Sequence, residues 1–159
     1  MGSRSKIWLA YIAGFLDGDG SLMLQIKKRS DNRTGSRFMI TICFYQDSQH
    51  EKTLFWIRKV LGIGYVSRRK DGITELRING YKRAQEILKK LSPYIRFKKK
   101  QARALNRVCN ILNSTKFSKL TNEQLKQIVS MMLVIQNENY VTKRKRTKKE
   151  LFRILGLTP

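Results

Sequence analysis

The spacing of apolar and polar positions changes several times along the chain, and each change predicts a different element. Residues 6–16, KIWLAYIAGFL, are almost wholly apolar, and a run of this length is typical of a helix and long for a strand. Because the run is apolar all round, we expect the helix to be buried on most sides. Glycine is the usual residue just past a helix end, so Asp17-Gly18-Asp19-Gly20 is predicted to stop it.

Two segments with strict alternation follow, and they predict a hairpin with one buried face. The first strand is predicted at residues 21–29 and the second at residues 37–46, with a polar loop at 30–36 between them. The inward positions are predicted to be Leu22, Leu24, Ile26, Phe38, Ile40, Ile42 and Phe44.

A second hairpin is predicted between helices. Residues 49–61 have helical spacing with Gly62 as the cap, and the tight-turn pair Asp71-Gly72 joins two further strands. Val66, Leu76 and Ile78 are expected to face the core. The later helices are predicted at residues 82–91, 98–112 and 121–135, the last opened by a capping box of Thr121 and Gln124.

This element order predicts an α+β fold, in which one mixed sheet carries helices on one face. We expect a single domain over residues 1–159, with a core at about 5–136 and a basic tail at 137–159. The run at residues 143–149 in that tail is expected to contact phosphates or to be disordered rather than to read bases.

The charge balance predicts a polyanionic partner. Lys and Arg number 34 against 11 Asp and Glu, a net charge of +23, and nucleic acid is the leading candidate because each neutralised phosphate releases counterions. A membrane surface is a weaker candidate, since the basic residues also occupy strand-like segments and no apolar run approaches a membrane span. The remaining alternative is a highly soluble surface, which explains so large an excess poorly.

The cysteine and motif inventory excludes several other kinds of site. Cys43 and Cys109 lie far apart, so neither a disulfide framework nor a zinc site is expected, and a reducing compartment such as a prokaryotic cytoplasm or an organelle fits this usage. His50 is the one histidine, which excludes histidine-rich nuclease sites. No phosphate-binding loop or dinucleotide motif is present, so no small-molecule cofactor is expected.

The outward face of the sheet is predicted to bind double-stranded DNA, because a twisted strand pair fits the major groove. Its side chains can bond both phosphates and base edges. The predicted DNA-binding residues are Ser21, Met23, Gln25, Lys27, Arg29, Arg37, Met39, Thr41, Cys43, Ser67, Arg69, Glu75 and Arg77.

The acidic residues at the end of the first helix are candidate metal ligands. Acids are scarce in this chain, and phosphodiester cleavage uses a divalent metal that carboxylate oxygens hold well. Taken alone, DGDG is also explained by a helix cap with two surface aspartates.

The residues around this point resemble a known family. Ile12–Gly20, IAGFLDGDG, is similar to the LAGLIDADG motif of homing endonucleases, and the resemblance continues through GIGYV at 62–66 and SPYIRFKKKQA at 92–102. The resemblance covers roughly residues 7–112, and the chain resembles the short members with one motif per chain. The resemblance implies an αββαββα core whose sheet forms a saddle on DNA, here with extra C-terminal helices.

The resemblance also implies roles for individual residues. The final motif acid, Asp19, would bind the catalytic metal, Mg²⁺ or Mn²⁺, together with the main-chain carbonyl of Gly18. Gln46 and Lys98 match the family's polar and basic site residues. His50 stands where the family usually has another basic residue. Asp17 is expected to be structural.

One motif per chain predicts a homodimer, since a duplex has two strands to cut and each chain supplies one Asp19. The dimer interface is predicted at Ala10, Ala13 and Gly14 on the first helix. The resulting function is metal-dependent, site-specific cleavage of both strands at a long pseudo-palindromic DNA target. The alternatives are an RNA maturase and a non-cleaving DNA repressor of the same fold, against which the retention of Asp19, Gln46 and Lys98 argues.

Overall fold

The computed structural model describes residues 3–28, 35–140 and 142–158, so Arg29 and residues 30–34 of the expected loop lie outside the described residues. Two short 3₁₀ turns, Ser48–His50 and Phe117–Lys119, lie between longer elements. In chain order those elements are α1 (Ser3–Asp19), β1 (Gly20–Lys28), β2 (Ser36–Asp47), α2 (Lys52–Leu61), β3 (Tyr65–Arg68), β4 (Ile73–Asn79), α3 (Tyr81–Leu91), α4 (Lys99–Ser114), α5 (Asn122–Glu138) and α6 (Lys148–Leu155).

The four strands form one sheet in the order β1-β2-β4-β3. The α+β class is confirmed, but the expectation of a mixed sheet is wrong, because all three neighbouring pairs are antiparallel. β3 runs in the same direction as β2, yet β4 lies between them. The helical connection through α2 therefore creates no parallel pair.

The inner face of the sheet packs against the helices. The inward positions predicted for β1 and β2 are buried, as are Leu76 and Ile78 of β4, while Val66 of β3 is half-buried. Gly62 ends α2 as predicted, with a positive φ of 70° and its N–H donating to the carbonyl of Arg58. The sheet and helices thus enclose one core that leaves the opposite sheet face uncovered.

Helix α1 continues beyond its predicted end and ends at Asp19. The chain turns back at Gly20, where a Cβ atom would lie 2.6 Å from Leu16 Cδ1 and 2.8 Å from the Leu16 carbonyl oxygen. The second glycine, rather than the first, therefore permits the close return into β1.

Burial of α1 on most sides is not found within one chain. Ile12 and Leu16 are fully buried, whereas Ile7 is 64% and Tyr11 56% exposed. The helix is apolar all round, but its own chain covers only one side.

The C-terminal segment packs against the rest of the molecule. Leu151 and Phe152 of α6 join the core, and a capping box of Thr147 and Glu150 begins the helix. Before it, the side-chain amide of Gln136 bonds both the N–H and the carbonyl of Arg146, at 3.1 and 3.2 Å. In the described part of the chain, no helix is long and apolar enough to cross a membrane.

A buried carboxylate holds the segment after β2 against the second hairpin. Glu51, just before α2, accepts hydrogen bonds from Thr74 Oγ1 and Arg68 Nε, both at 2.8 Å. The bonds from Arg68, and next that from Thr74, lower the pKa of Glu51 to about 2 from its ordinary 4.5. A carboxyl with a lowered folded-state pKa stabilises the fold above its unfolded pKa, and this stabilisation is lost as pH falls through the folded pKa.

We therefore expect Glu51→Gln to lower the unfolding temperature at pH 7. The difference from the unsubstituted protein should shrink as pH falls from about 4.5 towards 2, because protonation removes the same charge. Thermal unfolding followed by circular dichroism over this pH range measures the effect. Glu86→Gln, at an exposed position of α3, is the control. An equal difference at pH 7 and pH 2.5 would contradict the assigned role of the Glu51 charge.

Candidate active site and nucleic-acid interface

The carboxyl end of α1 presents Asp19 at the molecular surface. Asp19 is the last residue of the helix, and both it and Gly18 are exposed. Gly20, the first residue of β1, pairs with Phe44 of β2. Asp19 therefore lies at the end of the β1–β2 pair where β2 finishes, beside the edge of the uncovered sheet face.

Asp17 occupies a different environment from Asp19, although only two residues separate them. Asp17 is 8% exposed. Its Oδ2 accepts hydrogen bonds from the amides of Arg96 and Phe97 at 2.6 and 3.2 Å, and its Oδ1 accepts one from the amide of Lys98 at 2.9 Å. These bonds occupy the carboxylate and support the structural role expected for Asp17.

Lys98 is brought to the same helix end from the turn before α4. Its Nζ donates to the main-chain carbonyl of Asp17. Burial lowers the pKa of Lys98, an effect that the charges of Asp17 and Asp19 oppose. An ammonium group beside the Asp19 carboxylate can neutralise charge that develops on a phosphate.

Gln46 lies near the end of β2, and His50 lies in the 3₁₀ turn that follows the strand. Gln46 pairs with Thr74 of β4, and its Oε1 accepts a hydrogen bond from the amide of Asp47 at 2.8 Å. This leaves its NH₂ group as a donor. His50 is exposed at the end of the 3₁₀ turn. Register thus brings Gln46 to the same sheet end as Asp19, whereas His50 lies farther along the chain.

The donors at this end are of the kind that hard divalent cations prefer. The Asp19 carboxylate and the Gly18 carbonyl both offer oxygen, the ligand atom suited to Mg²⁺ and Ca²⁺. Over residues 3–28, 35–140 and 142–158, no group of three or more His, Cys, Asp and Glu side chains is placed to hold a metal. The donor set therefore fits a cation that takes its other ligands from water, phosphate oxygens or a second chain.

The outer sheet face carries the predicted DNA-binding residues at alternate positions. Lys27, Arg37 and Arg69 are exposed on it, while other members of the set are half-buried. Arg29 lies outside the described residues. The half-buried members are Ser21, Met23, Gln25, Met39, Ser67 and Arg77.

Three residues that were predicted to contact DNA are instead buried, because neighbours on the same face cover their side chains. Thr41 is 1% exposed and donates to Asn79 Oδ1 at 2.7 Å. Cys43 is fully buried, and burial raises the pKa of its thiol to about 11. Glu75 is 4% exposed. None of these side chains is available to a base edge in this arrangement.

Glu75 instead organises two arginines. Its Oε1 accepts from Arg69 at 3.2 Å and its Oε2 from Arg77 at 2.5 Å. Arg69 also bonds Asp71 at 2.5 Å. One carboxylate therefore fixes both guanidinium groups on the outer face, where arginine side chains are suited to meet the major groove.

Two further outer-face residues, Tyr45 and Asn79, were not included in the prediction. Tyr45 bonds Ser21 Oγ at 3.0 Å, and Asn79 Nδ2 donates to the exposed Tyr65 hydroxyl at 3.4 Å. Tyr45 and Asn79 continue the outward alternation of β2 and β4, so that alternation was the signal that could have found them.

The exposed side of α1 contains two of the three predicted interface residues. Ala10 and Gly14 are exposed, and a Cβ atom on Gly14 would meet nothing within 4 Å. Ala13, which was also predicted to lie in the interface, is instead fully buried within its own chain. The exposed aromatic residues Trp8 and Tyr11 flank this side and make edge contacts with Trp56 of α2, at ring-centroid distances of 6.3 and 5.5 Å.

Residues 12–106 match the family model described as LAGLIDADG endonuclease. The chain is 34% identical over 113 residues to the DNA endonuclease I-CvuI of Chlorella vulgaris, covering 71% of this chain and 70% of that protein. It is 31% identical over 114 residues to the DNA endonuclease I-CreI of Chlamydomonas reinhardtii, covering 72% and 69%. A crystal structure of I-CvuI with the I-CreI target DNA and Mg superposes with a TM-score of 0.78 and 26% identity, covering 99% of this chain and 100% of that one.

Proposed function

The chain belongs to the LAGLIDADG endonuclease family, and on that premise we propose that it is a site-specific endonuclease that cuts both strands of a long, near-palindromic DNA target. The observation that carries this proposal is the location of Asp19, exposed at the edge of an outer sheet face that is rich in hydrogen-bonding side chains. A DNA backbone lying along that face would pass the carboxylate. Hydrolysis of the phosphodiester needs a divalent metal, for which we propose Mg²⁺, with Mn²⁺ as a substitute.

The site residues divide the chemistry between them. Asp19 and the Gly18 carbonyl would hold the metal, which when bound would supply Lewis-acid polarisation of the phosphate and activation of water. Lys98 offsets negative charge at the scissile phosphate, and the NH₂ group of Gln46 donates to water or to a phosphate oxygen. His50 is assigned the weaker role of contacting the backbone, because it is exposed and farther along the chain.

The active form is proposed to be a homodimer related by a two-fold axis. One chain offers one exposed motif carboxylate, and the exposed side of α1 combines small residues with exposed aromatic ones. Strand β1 has 9 residues, so one sheet covers about nine base pairs at ~3.3 Å per residue and ~3.4 Å per base step. Two sheets then span roughly twenty base pairs.

Selection of cleaved duplexes from a random library in Mg²⁺ tests the function. The expected product is a partly symmetric site of roughly twenty base pairs, cut in both strands, with no cutting when EDTA replaces the metal. Binding to DNA without cleavage at any sequence would favour the repressor alternative. Absence of cleavage together with specific binding to a structured RNA would favour the maturase.

A further inference from the structure

The turn at residues 96–98 is attached to the molecule in an unusual way. Ile95 is fully buried, but the chain then leaves the core, and the Phe97 side chain is 83% exposed. Lys98 opens α4 with no side-chain cap. The Phe97 side chain therefore does not fix this turn, and the three successive N–H groups of residues 96–98 form a concavity of the kind that binds anions.

The Asp17 carboxylate occupies that concavity, although Asp17 lies 79 to 81 residues away from the turn in sequence. Its nearly buried carboxylate accepts all three amides, at 2.6, 3.2 and 2.9 Å. Its main-chain carbonyl accepts the Nζ of Lys98 as well. Lys98 is thus bound to Asp17 at both ends, through its amide and through its ammonium group.

We propose that Asp17 is a positioning residue for DNA cleavage, which fixes the Lys98 ammonium group at the carboxyl end of α1 beside Asp19. The inference rests on the proposed function, since it takes Lys98 as part of the cleavage site. The two attachments also explain the order of the motif. The first acid secures the lysine, and the second, two residues on, is left exposed for the metal.

In Asp17→Asn one carboxylate oxygen becomes an NH₂ group that cannot accept a hydrogen bond, so at least one of the three amides loses its acceptor and the turn is freer to move. The ammonium group then keeps only its bond to the carbonyl of residue 17. Partners that orient a reactive group typically contribute a factor of about 10 to 100 in rate, and small misplacements of such groups have effects of similar size. The expected defect is therefore in the cleavage step and not in DNA affinity.

The first test measures the chemical accessibility of the Lys98 amine directly, in protein free of metal and DNA. An amine-reactive reagent followed by mass spectrometry gives the labelling rate of Lys98 relative to its exposed neighbour Lys99. Asp17→Asn should raise that ratio severalfold. Glu150→Gln, which removes a carboxylate that accepts the backbone N–H of Thr147, is the matched control and should leave the ratio unchanged. An unchanged ratio in Asp17→Asn would overturn the proposal.

The second test is a double-mutant cycle on the single-turnover cleavage rate. Asp17→Asn should slow cleavage by about 10- to 100-fold with DNA affinity in Ca²⁺ unchanged, and should cause no further loss in a Lys98→Met background. Additive losses would show that Asp17 acts through general stability, which would contradict a positioning role. If Asp17→Asn does not fold, Asp17→Ser, which has one oxygen acceptor and no NH₂ group facing the three amides, replaces it in both tests.

The two tests separate this inference from the proposed function. A protein that cuts no duplex yet shows the labelling change has Asp17 holding Lys98 but is not the enzyme proposed. A protein that cuts its target while the labelling ratio stays constant is the enzyme proposed, with Lys98 held by something other than Asp17.

Discussion

Asp19→Asn is expected to abolish cleavage while leaving DNA binding nearly intact. The substitution removes the charged oxygen proposed to hold the metal, but Asp19 is exposed at the helix end and supports no part of the core. Loss of metal-based stabilisation on the order of 4 kcal/mol lowers the rate about a thousandfold. Cleavage of a selected target in Mg²⁺ and gel-shift affinity in Ca²⁺ are the two measurements.

The control for this prediction is Glu123→Gln, which removes one negative charge at an exposed position of α5 and should cut at the normal rate. Removing a carboxylate near DNA also reduces repulsion from phosphates, so affinity in Asp19→Asn should not fall. If the variant still nicks its target in Mg²⁺, another group holds the metal and the assignment of Asp19 is wrong.

Gly14→Leu is expected to convert the dimer into monomers and to prevent cutting of both strands. Within one chain a Cβ atom at Gly14 meets nothing within 4 Å, and leucine is a better helix former than glycine by about 0.8 kcal/mol. The monomer should therefore unfold at the same or a higher temperature. Two α1 helices that approach closely at Gly14 would instead be forced apart, at a cost of about 1–3 kcal/mol.

Sedimentation with and without target DNA, together with separate measurement of nicked and linear products, checks this second prediction. Ser130→Leu places the same side chain on an exposed position of α5 and should leave both dimer and cleavage unchanged. A Gly14→Leu protein that sediments as a dimer and linearises its target would show that the chains associate elsewhere.

Alternation and capping signals were sufficient to predict most of the architecture. The period-two runs of β1 and β2 predicted both faces of that hairpin, and the capping box of Thr121 and Gln124 that begins α5 was predicted correctly. The end of α1 was harder, since either glycine of DGDG suits a helix end. Only the close contact between position 20 and Leu16 decides between them, and that contact depends on where β1 runs.

The candidate site was predictable only as far as pattern and resemblance extend. Alternation gives the side of the sheet on which Thr41, Cys43 and Glu75 lie, but not the covering of their side chains by neighbouring side chains on the same face. That covering depends on register across three strands. The link between Asp17 and the turn at residues 96–98 joins positions about 80 apart, which no local signal in the sequence specifies.

The buried carboxylate at Glu75 has a consequence for how the target preference of such a protein can change. Because Arg69 and Arg77 share one acceptor, exchanging either arginine alone leaves Glu75 with a single partner and shifts the other arginine as well. Substitutions at these three positions should be strongly non-additive. A lineage that follows a drifting target sequence would therefore replace the three residues together, or pass through intermediates that recognise neither the old site nor the new one.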